Sequence, residues 1–141
     1  MFMPLRRPLL ALLSALSLSL AVALPALACP MSGTPSATTA PTIATHISNG
    51  HAFTKHGGEF VNGAVMNGLA FPDAALASKS AFATFLQPII GGTGTSKALS
   101  SSRHAFWDAR TGTVVIFNPG AGDCGTAFRP ANGEAYYTAL Q

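Results

Sequence analysis

The C-terminal third of the chain contains three short runs of β-branched and aromatic residues, and these runs constrain the fold most. They are RHAFWDA at 103–109, TVVIFN at 113–118 and GTAFRP at 125–130, and the turn sequences RTG and PGAGDCG separate them. Such runs, with turn residues between them, are typical of strands that follow one another in an antiparallel sheet. We therefore expect a β-meander in this third of the protein.

A helix is predicted before this sheet. Asp73 or Ser78 can cap its start, and Pro88 with Gly91-Gly92 ends it. Its apolar residues recur at i, i+3, i+4 and i+7, the spacing of one helix face. They are Phe82, Phe85, Leu86 and Ile89. This stripe predicts a helix packed on a core.

A shorter helix is predicted over residues 50–56. Ser48 or Asn49 can cap its start, and Gly57-Gly58 follows its end. Residues 91–102 are rich in Gly, Ser and Thr, and we expect them to form a loop. Helices first and strands after predict an α+β fold, with N-terminal helices packed on one face of a small C-terminal antiparallel β-sheet.

The first 28 residues have the organisation of a secretory signal peptide. Arg6 and Arg7 form the positive region, residues 9–24 are apolar, and Ala26-Leu27-Ala28 is a small-residue cleavage site. We therefore predict a secreted or periplasmic protein with no integral membrane span after cleavage.

The segment that follows the signal peptide, residues 29–45, carries no charge and few large apolar side chains. We expect it to form a flexible leader because such a composition buries little surface. A single α+β domain is expected over 46–141. Cleavage also lowers the net charge from +3 to +1, since six Lys and Arg side chains then face five carboxylates. A strongly basic, charge-driven binder of nucleic acid or membranes is therefore not indicated.

Two cysteines, Cys29 and Cys124, leave two alternatives for the mature N-terminus. If cleavage follows Ala28, Cys29 can form a disulfide with Cys124 in an oxidising compartment. If ALAC is a lipobox, Cys29 is acylated instead and the protein is an outer-membrane lipoprotein. A lipobox usually has leucine three positions before its cysteine, and Ala26 stands there. This favours the soluble secreted form.

The stretch NGHAFTKHGGEF, residues 49–60, concentrates groups that can carry protons or charge. His51 and His56 are five residues apart, which places them about 140° apart around a helix, so they form a poor metal pair. We expect no metal and no other cofactor. Cleavage of RNA without metal needs a base, an acid and donors for the phosphate. Histidine suits both proton roles, and Lys or Arg suits the phosphate.

Further candidates for this chemistry lie on the predicted strands. Arg103 and His104 open the first strand, and Thr126 and Arg129 lie on the last. Because neighbouring residues of a strand point to opposite faces, at most one of Arg103 and His104 points into a given site. Trp107 shares the face of Arg103, where it can stack on a base or belong to the core. Glu59 is an alternative base to a histidine.

Three quoted patterns together resemble the small bacterial ribonuclease toxin domains of the barnase, EndoU, colicin and RelE (BECR) group. The patterns are GHAFTKHGGEF, then SRHAFWDARTGTVVIFNP after a helix, then GTAFRPANGEAYYTAL. The resemblance covers residues 48–141. It implies N-terminal helices on an antiparallel sheet and a metal-independent endoribonuclease of toxin type, with RNA, often tRNA, as substrate. It also implies a neutralising immunity protein as a partner.

The resemblance implies active-site roles for the positions that match the family's short motifs. Those positions are His51, Lys55, His56, Arg103 and Thr126. We predict that His51, His56, Arg103 and Thr126 are catalytic. We predict that Lys55, His104, Trp107 and Arg129 bind substrate. The alternative function is a non-catalytic module, secreted or lipid-anchored, that binds a protein or a glycan.

Overall fold

A computed structural model of the protein describes residues 28–141. The predicted signal peptide, apart from Ala28, lies outside the described residues. The described chain forms four α-helices and six strands, with a 3₁₀ turn after the second helix and a π turn after the third. The helices are α1 (Ala40–Asn49), α2 (His51–His56), α3 (Lys79–Pro88) and α4 (Glu134–Ala139). The strands are β1 (Val65–Met66), β2 (Leu69–Ala70), β3 (Thr95–Ala98), β4 (His104–Asp108), β5 (Thr113–Phe117) and β6 (Gly125–Phe128).

Strands β3 to β6 form one antiparallel sheet in sequence order, and β1 and β2 form a separate hairpin. Phe106 pairs with Val115, which pairs with Ala127, so the predicted meander is confirmed. Strand β3 lies in the segment that we expected to be a loop. Lys97 and Ala98 have little preference for strands, and pairing with β4, such as Thr95 with Trp107, organises the segment.

The two faces of the sheet contribute to two separate cores. Phe106, Val115 and Ala127 face α1 and α3 and pack with Ile43 and Phe82 in the larger core. The opposite face packs against α4 in the smaller one. That smaller core contains Leu99, Ala105, Trp107, Val114, Ile116 and Tyr137. The predicted α+β fold is therefore confirmed, with the short helix α4 added on the second face.

Helix α1 corrects the expectation of a flexible leader over 29–45. Ala40, Ile43, Ala44 and Ile47 recur at helical spacing, and all four are at most 2% exposed. Pro41 lies in the first turn, where its missing N–H costs nothing. The leader's other end is also tied down, because Cys29 forms a disulfide with Cys124. The Ser-, Thr- and Pro-rich composition of this segment gave no sign of this short apolar stripe, which is completely buried.

Helix α2 follows α1 after a single residue, Gly50, which is its N-cap. The predicted caps Ser48 and Asn49 belong instead to the last turn of α1. After His56 the chain continues through the 3₁₀ turn Gly57–Phe60. The turn brings Phe60 into the larger core, where its ring packs at 4.9 Å from Phe82.

Helix α3 confirms the predicted apolar stripe and one of its two predicted caps. The Ala81 N–H donates to Ser78 Oγ at 3.1 Å, which is the expected N-cap contact. Phe82 and Leu86 are fully buried against α1. Among residues 28–141, no helix is long and apolar enough to cross a membrane.

Candidate active site

Helix α2 contacts the edge strand β6. The first residue of α2, His51, is held by the carboxylate of Asp123. His51 Nδ1 lies 2.5 Å from Asp123 Oδ2, and the His51 backbone N–H donates to the same oxygen at 3.4 Å. The His51 side chain is 52% exposed. Because Asp123 engages Nδ1, Nε2 is the ring nitrogen left for a reaction in solution.

Local geometry fixes the Asp123 carboxylate from two sides. A Cβ at Gly50 would overlap Asp123 Cβ, so only glycine permits this approach of the start of α2 to the loop before β6. On the other side, Cys124 is buried in its disulfide, and the Gly125 N–H donates to Asp123 Oδ1 at 3.3 Å. Partial burial alone would raise the pKa of Asp123. The hydrogen bonds from His51 and Gly125 outweigh it, and the pKa lies below its ordinary value.

The last residue of α2, His56, is held by a second carboxylate. His56 Nδ1 lies 2.8 Å from Glu59 Oε1, and the His56 ring stacks on Phe128 at 5.2 Å. The other Glu59 oxygen accepts the backbone N–H of Arg129 at 2.6 Å. Only 17% of the His56 side chain is exposed. This pair therefore fastens α2 to the end of β6.

Arg129, predicted to bind substrate, lies in the interior instead and is 1% exposed. Its guanidinium lies 5.4 Å from the Phe71 ring centre and donates four hydrogen bonds to backbone carbonyls. The acceptors are the oxygens of Thr111, Glu59 and Ala64, each at 2.8 Å, and of Leu69 at 2.7 Å. Burial lowers the pKa of Arg129, and the charge of Glu59 opposes that effect. Arg129 is thus a structural cation that joins segments far apart in the chain, and its burial keeps it away from a substrate phosphate.

Arg103, predicted to be catalytic, lies at the β3–β4 turn and holds the C-terminus. Its guanidinium donates to the Gln141 oxygen and to Ser100 Oγ, both at 2.9 Å. Lys97 has a similar role, since its ammonium donates to the Leu140 oxygen at 2.8 Å. Within residues 28–141, the side-chain hydrogen bonds of Arg103 go to Ser100 and Gln141, and none goes to α2 or to Asp123.

The remaining predicted residues on the strands divide between the two faces of the sheet. His104 shares the face of Phe106, towards α1 and α3, whereas Thr126 and Trp107 lie on the other face. Trp107 is 5% exposed and stacks on Tyr137, so it offers no open ring face to a base. Thr126 Oγ1 and His104 Nδ1 are buried without a hydrogen-bond partner among the described residues.

The structure therefore assembles a smaller candidate site than the one predicted, along the line where α2 meets β6. We call it the α2–β6 edge and define it as His51, Lys55, His56, Glu59, Asp123 and Thr126. Lys55 is exposed and lies one helical turn from His51. Asp123 is the candidate site residue that the sequence did not indicate, because 72 residues separate it from His51. Within residues 28–141, no three His, Cys, Asp or Glu side chains form a metal site.

Comparison with known proteins finds no relative of this chain. No protein-family model, no curated protein and no solved structure matches it. The resemblance to the ribonuclease toxin domains therefore stays a prediction from short sequence patterns, and the case for a function has to come from the chemistry of the α2–β6 edge.

Proposed function

We propose that the protein is a metal-independent endoribonuclease of toxin type that cleaves RNA, with tRNA among its candidate substrates. The observation that carries this proposal is the His51–Asp123 pair, in which the ring is held at Nδ1 and more than half of the side chain is exposed. A carboxylate at Nδ1 fixes the tautomer and leaves the Nε2 lone pair free to accept a proton. An imidazole held in this way suits general base catalysis near neutral pH.

In the proposed reaction His51 Nε2 accepts the proton of a ribose 2′-OH. The 2′-oxygen then attacks the adjacent phosphorus, the bond to the 5′-oxygen breaks, and the products are a 2′,3′-cyclic phosphate and a free 5′-hydroxyl. His56, whose Nδ1 is held by Glu59, is the proposed acid that protonates the departing oxygen. Lys55 supplies positive charge beside His51.

The disulfide supports the proposed location, because disulfides persist in secreted and periplasmic proteins. A Cys29 sulfur bonded to Cys124 is also not available for a thioether to lipid, which favours the secreted form over the lipoprotein. The proposed partners are RNA and a neutralising immunity protein that covers the α2–β6 edge. A mature chain of net charge +1 fits a substrate that is held at few phosphates.

The test incubates the mature chain, from Cys29, with total RNA in EDTA. We expect cleavage products with cyclic phosphate ends, and we expect His51→Ala to lower the rate by roughly a hundredfold or more. His46→Ala is the matched control, since His46 lies in α1 and outside the α2–β6 edge. Circular dichroism verifies that each variant is folded. Intact RNA with folded protein would overturn the proposal and support the non-catalytic binding module.

A further inference from the structure

A polar cleft of about 240 Å³ lies between α1 and α3, beside the start of α2. Its wall from α1 includes Ser48 and Asn49, and its wall from α3 includes Lys79, Ser80 and Thr84. No Asp or Glu lines it. Asn49 is two residues before His51, and two residues span at most about 7 Å of chain. The cleft is therefore a direct neighbour of the α2–β6 edge.

Ser48 is the residue of this cleft that the fold leaves unexplained. It is 1% exposed, and its hydroxyl has no hydrogen-bond partner within residues 28–141. The Thr84 hydroxyl on the facing wall behaves differently, since it donates to the Ser80 carbonyl of its own helix at 3.1 Å. A buried hydroxyl without a partner destabilises a fold. Such a group in the wall of a cleft indicates a ligand that hydrogen-bonds to it.

The charges around the cleft indicate the sign of that ligand. The Lys79 and Ser80 N–H groups, the first two of α3, have no acceptor within the helix, whereas the third is capped by Ser78 Oγ. No acidic residue lies in the first turn of α3. Lys79 Nζ donates to the backbone oxygen of Asn49 at 3.3 Å, and its positive charge stabilises the negative C-terminal end of the α1 dipole. That contact uses one of its three N–H donors and leaves two. The cleft thus combines a cation, free backbone donors and a hydroxyl.

We propose that this cleft binds a phosphate group through Ser48, Lys79 and the first two N–H groups of α3. The phosphate is proposed to belong to an RNA strand whose neighbouring phosphate lies at the α2–β6 edge. The identity of the ligand therefore rests on the proposed function. Phosphate oxygens accept from hydroxyl, ammonium and backbone donors alike. The cleft then supplies the phosphate contacts that a weakly charged nuclease otherwise lacks.

The binding test uses the mature chain with two probes, inorganic phosphate and a single-stranded 2′-deoxy oligonucleotide, which lacks the attacking hydroxyl and stays intact. With phosphate, we expect the largest amide shifts in NMR spectra at Lys79 and Ser80. Ser48→Ala is expected to weaken oligonucleotide binding severalfold while leaving stability equal or higher, since it removes an unpaired buried hydroxyl. Lys79→Gln is expected to reduce the slope of log K against log salt by about 0.7.

Arg110→Gln is the matched control because it removes one positive charge elsewhere on the surface, where Arg110 pairs with Asp73 at 2.7 Å. Equal binding by wild type, Ser48→Ala and Lys79→Gln would overturn the proposal. Phosphate binding at Lys79 without oligonucleotide binding would overturn RNA as the source. RNA cleavage with an unchanged KM in both variants would reject the cleft but keep the nuclease. Cleft-dependent oligonucleotide binding by a protein that cuts no RNA would reject the nuclease alone.

Discussion

The two histidines of α2 are each paired with a carboxylate, yet the two pairs differ in exposure and in what else they hold. The His51 side chain is 52% exposed, against 17% for His56. Within the part of the chain that the structure describes, Asp123 accepts hydrogen bonds only from His51 and Gly125. Glu59 also accepts the Arg129 N–H and so connects His56 to the most buried cation of the described chain.

The same chemical pair, a histidine held by a carboxylate, therefore lies in two different surroundings within one small site. His51 is oriented and open to solvent, which suits a group that reacts with a substrate. His56 is oriented, stacked on Phe128 and shielded, so its pair contributes mainly to the fold, and the proposed proton transfer is its second role. Changes at Asp123 should therefore alter activity more than stability, and changes at Glu59 should do the opposite.

The largest effect is expected from removing the disulfide, which lies next to the His51–Asp123 pair and not next to the His56–Glu59 pair. Cys124 follows Asp123 directly, and its bond to Cys29 closes a separation of 95 residues. We expect the double variant Cys29→Ser with Cys124→Ser to lose about 4 kcal/mol of unfolding free energy, because the unfolded chain gains freedom. Urea denaturation measures the loss, and reduced wild type should behave alike. A loss below about 1 kcal/mol would contradict the expectation.

The double variant, where it is folded, also tests whether the disulfide supports one histidine–carboxylate pair or both. NMR spectra of the ring protons should show a changed environment for His51 and an unchanged one for His56, since Glu59 is not attached to the disulfide. Equal changes at both rings would mean that the disulfide supports the whole of α2 rather than Asp123.

The next largest effect is expected for Asp123→Asn. The amide can no longer fix the tautomer that leaves Nε2 free, so we expect kcat/KM for RNA to fall by roughly a hundredfold or more. Unfolding free energy should change by about 1 kcal/mol or less, as for other partly exposed ion pairs. Initial-rate kinetics and urea denaturation of one preparation give both numbers. An unchanged rate would show that Asp123 does not orient the base.

Glu59→Gln is expected to have the opposite pattern, with a larger loss of stability and a smaller loss of activity than Asp123→Asn. It weakens the charge-assisted bonds to His56 and to the Arg129 N–H, so we expect a loss of about 2 kcal/mol in unfolding free energy. The loss in kcat/KM should be smaller than for Asp123→Asn. Glu134→Gln is the control, because Glu134 lies in the first turn of the short helix α4. A greater loss of activity than of stability would invert the comparison.

The fold could be predicted where its signals are local. The stripe of α3 and the strands β4 to β6 are visible in the sequence, because their period and their turn residues lie within a few positions. The stripe of α1 was equally local, but the Ser, Thr and Pro around it suggested a flexible segment. Strand β3 had no local signal, since its backbone is ordered by pairing with β4.

The candidate site could be predicted only in part, because sequence gives residue types but not their surroundings. His51 and Lys55 were found from their spacing on one helix. Asp123 could not be found, since only the approach of α2 to β6 at Gly50 brings it to His51. Arg129 looked like a surface cation, and its burial follows from carbonyls contributed by loops far apart in the chain.

The smallest expected effect is the response of the His51–Asp123 pair to acid. The pKa of Asp123 is lowered in the folded protein, so its contribution to stability is present above the unfolded pKa of about 3.9 and is lost as pH falls through the folded pKa. Asp123→Asn should remove this part of the pH dependence, at most about 1 kcal/mol for a partly exposed pair. Urea denaturation at pH 5 and at pH 3 tests the difference, with Glu134→Gln again as control. If the variant loses as much stability as wild type between those pH values, Asp123 is not the carboxylate whose ionisation stabilises the first pair.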